Sequence, residues 1–456
     1  MKAKRLAALL LAGCMALGMA AQASALEVNV SGQMVYQFGI MDNYARGGGK
    51  FTDAEADHFF ARQRVRLQIE FVASENLKGV LQIQNGTLYW GGDGAQLDTT
   101  SSDFKVRQAY IDWSVPDTGL NMKMGLQLLA MPHAVAGSPV LDSTVAAVVL
   151  RNSINENVSV GAFWARPYSN DKAAKLQNNN MDLFSILADF DYDSFRIQPW
   201  IMYGRVGSQS NVSSKWNNNV IGSNGSDDRY SSLYYGAVAA SFTPIENLSI
   251  NFDGIYGYLK NEASNIPNGD FEKSNGWMLA LGADYDLGFG TLGAIAWYAS
   301  GDDDGDVADG EYGKLPTISR GNSGFKPTRF GTAGSYAMGD DAMLTGTGAG
   351  TWGAGLHFKN FSFIEDLSHT VRAYYFNGTN DKNLYAFTRE HFGDGMYLTT
   401  KDKGFELNLD SQYQVAKGFK IIWEIGYINM DWYKEKERGF NKDDIFNTQL
   451  TFDYRF

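Results

Sequence analysis

Hydrophobic and polar residues alternate along most of this chain. In "EVNVSGQMVYQFGI", Val28, Val30, Met34, Tyr36, Phe38 and Ile40 fall on one parity. In "ARQRVRLQIEF", Val65, Leu67, Ile69 and Phe71 oppose Arg62, Arg64, Arg66, Gln68 and Glu70. "GLNMKMGLQLL" sets Leu120, Met122, Met124, Leu126 and Leu128 against Asn121, Lys123 and Gln127, and "GFELNLDSQYQV" sets Phe405, Leu407 and Leu409 against Glu406, Asn408 and Asp410. The last residues, "NTQLTFDYRF", place Leu450, Phe452, Tyr454 and Phe456 opposite Gln449, Thr451, Asp453 and Arg455. A period of two belongs to a strand with one apolar and one wet face, and helical periodicity is absent from these stretches.

The connections carry a second pattern. Compact turns ("SENLKG", "VPDTG", "SINEN", "FDYDS", "TPIENL", "DLGFG", "AKGF") alternate with long loops rich in Gly, Asn and Asp, the longest running from about 301 to 345. This sorting predicts an all-β fold, a closed antiparallel transmembrane β-barrel with short periplasmic turns and long external loops. Candidate strands begin near residues 27, 59, 79, 104, 119, 143, 156, 182, 194, 230, 247, 275, 289, 346, 366, 403, 418 and 443, which makes eighteen, or sixteen if two weaker ones merge. Closure has a physical cause: in hydrocarbon each unpaired backbone group costs several kcal/mol, so a spanning sheet has no free edge. The terminal strand, an aggregation-prone edge in a soluble sheet, is therefore expected to pair with the strand that begins near 27.

Composition adds limits. With 14% aromatic residues, 50 glycines and 9 prolines, the chain suits strands and turns, and past residue 25 no apolar run approaches the roughly 18 residues of a membrane helix. Residues 1–25 read as a signal peptide: "MKAKR" is basic, "LAALLLAGCMALGMA" apolar, and Ala23, Ser24 and Ala25 form a small-residue cleavage site. Leu11 to Cys14 also match the signature before a lipid-modified cysteine. Cleavage after Ala25 removes the single cysteine, and with it any disulfide or thiolate metal site, and moves the net charge from −12 to −15 by removing Lys2, Lys4 and Arg5. A chain this acidic is not a nucleic-acid binder by overall charge. Its five histidines lack metal spacing and no G-x-S-x-G motif occurs, so neither an enzyme nor a cofactor is expected. A barrel lipase or protease and an exported adhesin are the weaker alternatives.

Three stretches carry a family resemblance. "RQRVRLQIEFVASENLKGVLQIQNG" resembles the arginine-bearing second strand, short turn and third strand of the general diffusion porins of bacterial outer membranes. "VRQAYIDWSVPDTGLNMKMGLQLL" resembles the hairpin before their constriction loop, and "VVLRNSINENVSVGAFWA" the strand, tight turn and strand after it. The resemblance implies residence in the outer membrane, a water-filled channel for passive diffusion of small hydrophilic solutes and ions, a homotrimer, contact with lipid and lipopolysaccharide, and a terminal aromatic (Phe456, with Tyr454 and Phe452) read by the barrel-assembly machinery. It places a constriction loop near 130–142. Here that stretch is "AMPHAVAGSPVLD", which lacks the family's acidic motif and keeps only Asp142. The alternative is a substrate-selective channel for oligosaccharides or small organic anions.

The candidate pore-lining residues follow from parity. Arg62, Arg64 and Arg66 share the face opposite Val65, Leu67 and Ile69, and an arginine facing lipid near the midplane costs about 2–4 kcal/mol, so all three are expected in the lumen, where guanidinium groups bias passage toward anions. Arg107, Lys123 and Arg151 are further candidates, and His133 and Asp142 bracket the constriction loop. Asp302, Asp304 and Asp306 in "GDDDGD" offer oxygen ligands for a divalent cation, but the spacing lacks a full calcium loop, which favours a solvated external loop.

Overall fold

The computed structural model describes residues 26–42, 58–90, 104–169, 180–207, 230–261, 273–305, 311–318, 324–335, 338–339, 348–388, 398–438 and 444–456. The proposed signal peptide and Asp306 lie outside them. Eighteen long strands make up the wall: β1 (Glu27–Met41), β2 (His58–Ser74), β3 (Leu77–Tyr89), β4 (Phe104–Ser114), β5 (Leu120–Ala130), β6 (Asp142–Ser153), β7 (Val158–Ser169), β8 (Asn180–Tyr192) and β9 (Phe195–Gly207), followed by the other half. That half is β10 (Tyr230–Ile245), β11 (Leu248–Asn261), β12 (Lys273–Asp286), β13 (Thr291–Ala299), β14 (Thr351–Ile364), β15 (Leu367–Gly378), β16 (Lys403–Ala416), β17 (Phe419–Asp431) and β18 (Asp444–Arg455). Each pairs antiparallel with its sequence neighbours, and β1 pairs with β18 to close the cylinder, with Met34 opposite Tyr454, Tyr36 opposite Phe452 and Phe38 opposite Leu450. The merged, sixteen-stranded variant is thereby excluded.

Every second connection is tight, and its sequence shows why. Asn247, Asp366 and Gly418 take φ of 68°, 61° and 77° in the turns of "TPIENL", "IEDL" and "AKGF", a region open to Gly and tolerated by Asn and Asp, whose short polar side chains bond locally.

The outer face is apolar and exposed: Leu356, Ile186 and Leu128 are 65%, 62% and 55% accessible, a surface suited to hydrocarbon. Outward rings gather toward the two rims. Trp277 stacks on Tyr298 (5.0 Å) and Trp352 meets Tyr375 (5.8 Å) toward the loop rim, while Tyr192 stacks on Phe195 (4.9 Å) and Phe419 meets Tyr454 (6.4 Å) toward the turn rim. Adjacent aromatics divide as the pleat requires: Trp297 and Tyr374 are buried inside, Tyr298 and Tyr375 face out.

The interior departs from a uniformly wet lumen. Toward the loop rim, the inward residues of β7–β13 are apolar, among them Phe163, Leu183, Trp200, Met202, Leu233, Met278 and Trp297. They enclose residues of two loops that fold inward, Val140 and Leu141 of the third loop (131–141) and Leu315, Ile318 and Phe325 of the long loop (300–350). The two loops are joined by backbone bonds from Ile318 N–H to the Val140 carbonyl (2.9 Å) and from Lys326 N–H to the Ala136 carbonyl (2.8 Å). Gly137 (φ 99°) permits the close approach, since a β-carbon there would lie 2.5 Å from the Gly324 carbonyl oxygen. At the rim, Asp402 takes hydrogen bonds from Thr399 N–H (2.7 Å), Tyr433 N–H (2.9 Å) and Arg438 (2.6 Å), which ties the last two long loops together.

Candidate functional site

Strand β2 enters from the loop rim and carries Phe60, Arg62, Arg64, Arg66, Gln68 and Glu70 on its inward parity. The three arginines differ in surroundings. Arg62 is 1% exposed, donates through Nε to Gln37 Oε1 (2.5 Å) and through Nη2 to Ser335 Oγ of the long loop (3.4 Å), and lies 5.0 Å from the Phe60 ring centre. Arg64 donates to the Met338 carbonyl of the same loop (3.4 Å). Arg66 is only half-buried and donates to Gln84 Oε1 (2.8 Å), an oxygen that also accepts from Arg107 (3.0 Å). Arg62 and Arg64 therefore lie beneath the long loop, and Arg66 lies below them, half-buried.

Arg107 owes its direction to a β-bulge. Gln82 pairs with Gln108 but Ile83 pairs with Val106, so Arg107 is the extra residue, and parity changes across it. Phe104 and Val106 face out at 71% and 53% accessibility. Lys123 of β5 reaches Asp112 at 4.0 Å and lies 4.7 Å from the Tyr110 ring centre. Arg151 is exposed near the turn rim opposite Asn121 and acts electrostatically on Asp189, which Arg196 grips with two bonds of 2.9 and 2.6 Å. On β2–β5, the inward cations Arg66, Lys78, Arg107 and Lys123 face the acids Glu70 and Asp112, with Lys78 and Glu70 paired at 3.6 Å.

The third loop crosses the lumen. Asp253 of β11, six strands from β5, is 1% exposed and accepts the N–H groups of Ala134 (2.7 Å) and Val135 (2.8 Å). The acid missing from this loop's own sequence thus sits on the far wall, where it holds the loop by its backbone. His133 bonds within the loop, to the Met131 carbonyl (3.1 Å), and Asp142 opens β6 opposite Ala130 at the loop rim.

Sequence reasoning missed the seat of the long loop. Glu406 of β16 is fully buried and accepts N–H from Phe330 (2.5 Å) and Gly331 (2.9 Å). Arg329 pairs with Glu424 and approaches Asp410 (3.8 Å), which also pairs with Arg372. Gly426 leaves room for the Phe330 ring, since a β-carbon would sit 2.7 Å from it. The polar parity of "GFELNLD" was visible, but its partner lies 75 to 76 positions away. Elsewhere in the lumen, Asp284 meets His357 Nε2 (2.5 Å) and Lys359 (3.3 Å).

The acidic loop is only partly solvated. Asp302 is 1% exposed, with its N–H bonded to Asn380 Oδ1 (3.0 Å) and its carbonyl to Asp381 N–H (2.6 Å), whereas Asp304 is exposed. Among the described residues, no three His, Cys, Asp or Glu side chains are placed to share a metal ion. Further along the loop, burial lowers the Lys314 amine to about 8, a shift that Asp302 partly opposes. At the seam, Phe456 exchanges backbone bonds with Gly32 (2.8 and 3.1 Å), and its ring occupies the space over that glycine. The Phe452 ring meets Phe38 at 6.2 Å, and the Tyr454 ring meets Phe456 at 5.7 Å.

Among the described residues, the two inward loops pack on the β6–β17 side toward the loop rim, the long loop also reaches Arg62 and Arg64 of β2, and half-exposed cations lie lower on β2–β5. The sequence model described as Campylobacter major outer membrane protein matches residues 1–366. No curated protein matches the chain. Among solved structures, the chain is similar to three Pseudomonas aeruginosa proteins: OccK9 (OpdG), at 12% identity and TM-score 0.57 over 94% of this chain and 98% of that one; OpdQ, at 12% and 0.54 over 94% and 99%; and OpdK with vanillate, at 10% and 0.53 over 94% and 98%. At these identities the likeness establishes the barrel fold.

Proposed function

The chain belongs to the Campylobacter major outer membrane protein family, a porin family, and from that premise we propose that solutes cross the outer membrane along its β2–β5 wall with a bias toward anions. The protein is an outer-membrane porin, and its family points to a channel rather than an enzyme; the bias and the route are the finer reading. One observation carries it: Arg66, Arg107 and Lys123 are half-exposed on the inward face of β2–β5, where the inward acids among the described residues are Asp112 and Glu70. On β8 and β12 the inward acids Asp189 and Asp284 are each paired on their own wall, with Arg196 and with His357 and Lys359, so they do not offset the β2–β5 cations. The test is the reversal potential in planar bilayers under a salt gradient. The triple variant R66A/R107A/K123A should shift toward cation preference, and an unchanged reversal potential would refute the bias.

A second reading, selective passage of small organic anions, is favoured by the shared Gln84, which holds two guanidinium groups side by side as a fork for a carboxylate. The OpdK structure contains vanillate, an aromatic carboxylate. Competition of vanillate with chloride current, abolished in R66A/R107A, would favour this reading. A homotrimer is supported by the general porin resemblance and by a gap in the aromatic belts: the outward residues of β5 and β6, such as Met122, Met124, Ala146 and Val148, include no ring. Native mass spectrometry giving monomer alone would overturn it. Phe456 is the proposed mark read by the barrel-assembly machinery, and lipopolysaccharide the proposed lipid neighbour.

A further inference from the structure

Below Arg66, the inward face of β2–β4 carries a row of three glutamines. Gln68 stands opposite Gln82, and Gln82 opposite Gln108. Leu67, Ile69, Leu81 and Ile83 take the outward parity beside them, and the bulge at Arg107 puts Gln108 on the inner face. The row is a chain of hydrogen bonds with a fixed direction. Gln108 Nε2 donates to Gln82 Oε1 (3.4 Å), Gln82 Nε2 to Gln68 Oε1 (3.0 Å), and Gln68 Nε2 to Glu70 Oε1 (2.9 Å). An ionised carboxylate only accepts, so Glu70 draws the amide nitrogen of Gln68 toward itself. That turns the Gln68 oxygen to Gln82 and, through it, the Gln82 oxygen to Gln108. Glu70 is itself paired with Lys78 at 3.6 Å. All three glutamines are half-buried, so the row is set into the wall and still meets the lumen.

Each link uses one N–H of an amide that has two, and one lone pair of an oxygen that has two. The row therefore keeps donors and acceptors side by side for the lumen, held in place before any solute arrives, which lowers the cost of binding. At a strand spacing of about 4.8 Å, the three amides extend about 10 Å across the wall. An anion satisfies only the N–H groups of such a row and a cation only its oxygens, whereas a hydroxyl donates and accepts at once. Tyr110, one inward step below Gln108 and with Lys123 over its ring at 4.7 Å, brings a phenol to the same face.

We propose that Gln68, Gln82 and Gln108 form a binding row for neutral, hydroxyl-rich solutes of about the size of a disaccharide. This rests on the reading that solutes follow the β2–β5 wall, and adds to it a class of solute that the cations do not select. The test is block of chloride current through the full-length protein in planar bilayers by trehalose, a neutral disaccharide. Polyethylene glycol of equal hydrodynamic size, whose chain accepts hydrogen bonds and donates none, is the control. Wild type should show saturable block by trehalose and only a linear loss of current with the polymer. Q68L/Q82L/Q108L should raise the half-blocking concentration about tenfold, as expected for the loss of a few neutral hydrogen bonds. Q82L alone, which removes the middle link and leaves the rest of the wall intact, should raise it about threefold, and keeps the test open if the triple variant does not assemble. Both exchanges are neutral, so the reversal potential under a salt gradient should stay at the wild-type value. Trehalose acting no differently from the polymer on wild type, or a half-blocking concentration unchanged in Q82L, would overturn the proposal. R66A/R107A/K123A separates the two readings. If its reversal potential does not move, the anion reading fails; if it moves while the glutamine variants block like wild type, the glutamine row alone fails.

Discussion

Asp253→Ala tests whether the third loop is held across the lumen by one carboxylate. The side chain is 1% exposed and accepts the Ala134 and Val135 N–H groups at 2.7 and 2.8 Å. Hydrogen bonds to a charged group are worth about 1.5–3 kcal/mol each, so truncation removes roughly 3–6 kcal/mol of docking, less the cost of desolvating the carboxylate itself. The loop keeps its two neutral backbone bonds to the long loop, from Ile318 and Lys326, worth about 1 kcal/mol each. The expected result is partial release: flicker in single-channel records and a wider range of conductance, with protease sensitivity appearing within 131–141 and the barrel still closed. Asp253→Asn, whose carbonyl satisfies one N–H and whose amide opposes the other, should fall between. Quiet channels of wild-type conductance in the alanine variant, with the loop still protected, would refute the assignment.

Glu406→Ala should free the segment at Phe330 and Gly331 and raise conductance, whereas Glu406→Gln keeps one acceptor and should do less; single-channel recording decides. Lys314 is neutral more readily when folded, with its amine lowered to about 8 from 10.5 by burial. The unfolded segment therefore binds the proton more tightly, so the long loop should seat more firmly as pH rises from 8 to about 10.5, by at most ~3 kcal/mol. Below pH 8 the cost of the buried charge is fully present; Lys314→Met should abolish the dependence, as read by protease protection across pH. Deleting Phe456 removes the backbone bonds to Gly32 and the ring over it, and should lower the assembled fraction in outer membranes while leaving the conductance of inserted channels unchanged.

The strand count and nearly all strand starts were legible because a wall between lipid and water writes a period of two into the chain. The exception is β14, expected near 346 and found at Thr351. Gly348 and Gly350 take φ of 62° and 74°, a conformation outside a strand that alternating small residues in "TGTGAG" do not betray. The apolar filling near the loop rim was not legible either. In "NMDLFSIL", Met181 and Leu183 face in while Phe184 and Ile186 face out, and a strand apolar on both faces does not say what covers the inner one. Arg107 was ambiguous because a bulge reverses parity within its strand. Asp253 and the third loop are separated by 118 to 119 positions, and no local pattern encodes such a partnership.

The arginine column was read as one device, and its contacts divide it. Arg62 and Arg64 spend donors on Ser335 and the Met338 carbonyl, so their charge lies under the long loop and acts on ions only through it. Arg66 donates to Gln84 and stays half-exposed, in reach of a passing anion. Arg64→Ala should therefore loosen the loop at Met338, raising current noise and conductance with little change in reversal potential. Arg66→Ala should do the reverse, moving the reversal potential toward cations at nearly constant noise. At 0.1 M salt the Debye length is about 10 Å, so the Arg66 effect should shrink as the bath approaches 1 M, where it is about 3 Å, while the Arg64 effect, which is one of packing, should persist. If the two variants give the same reversal potential and the same salt dependence, the column acts as a single field and the division is wrong.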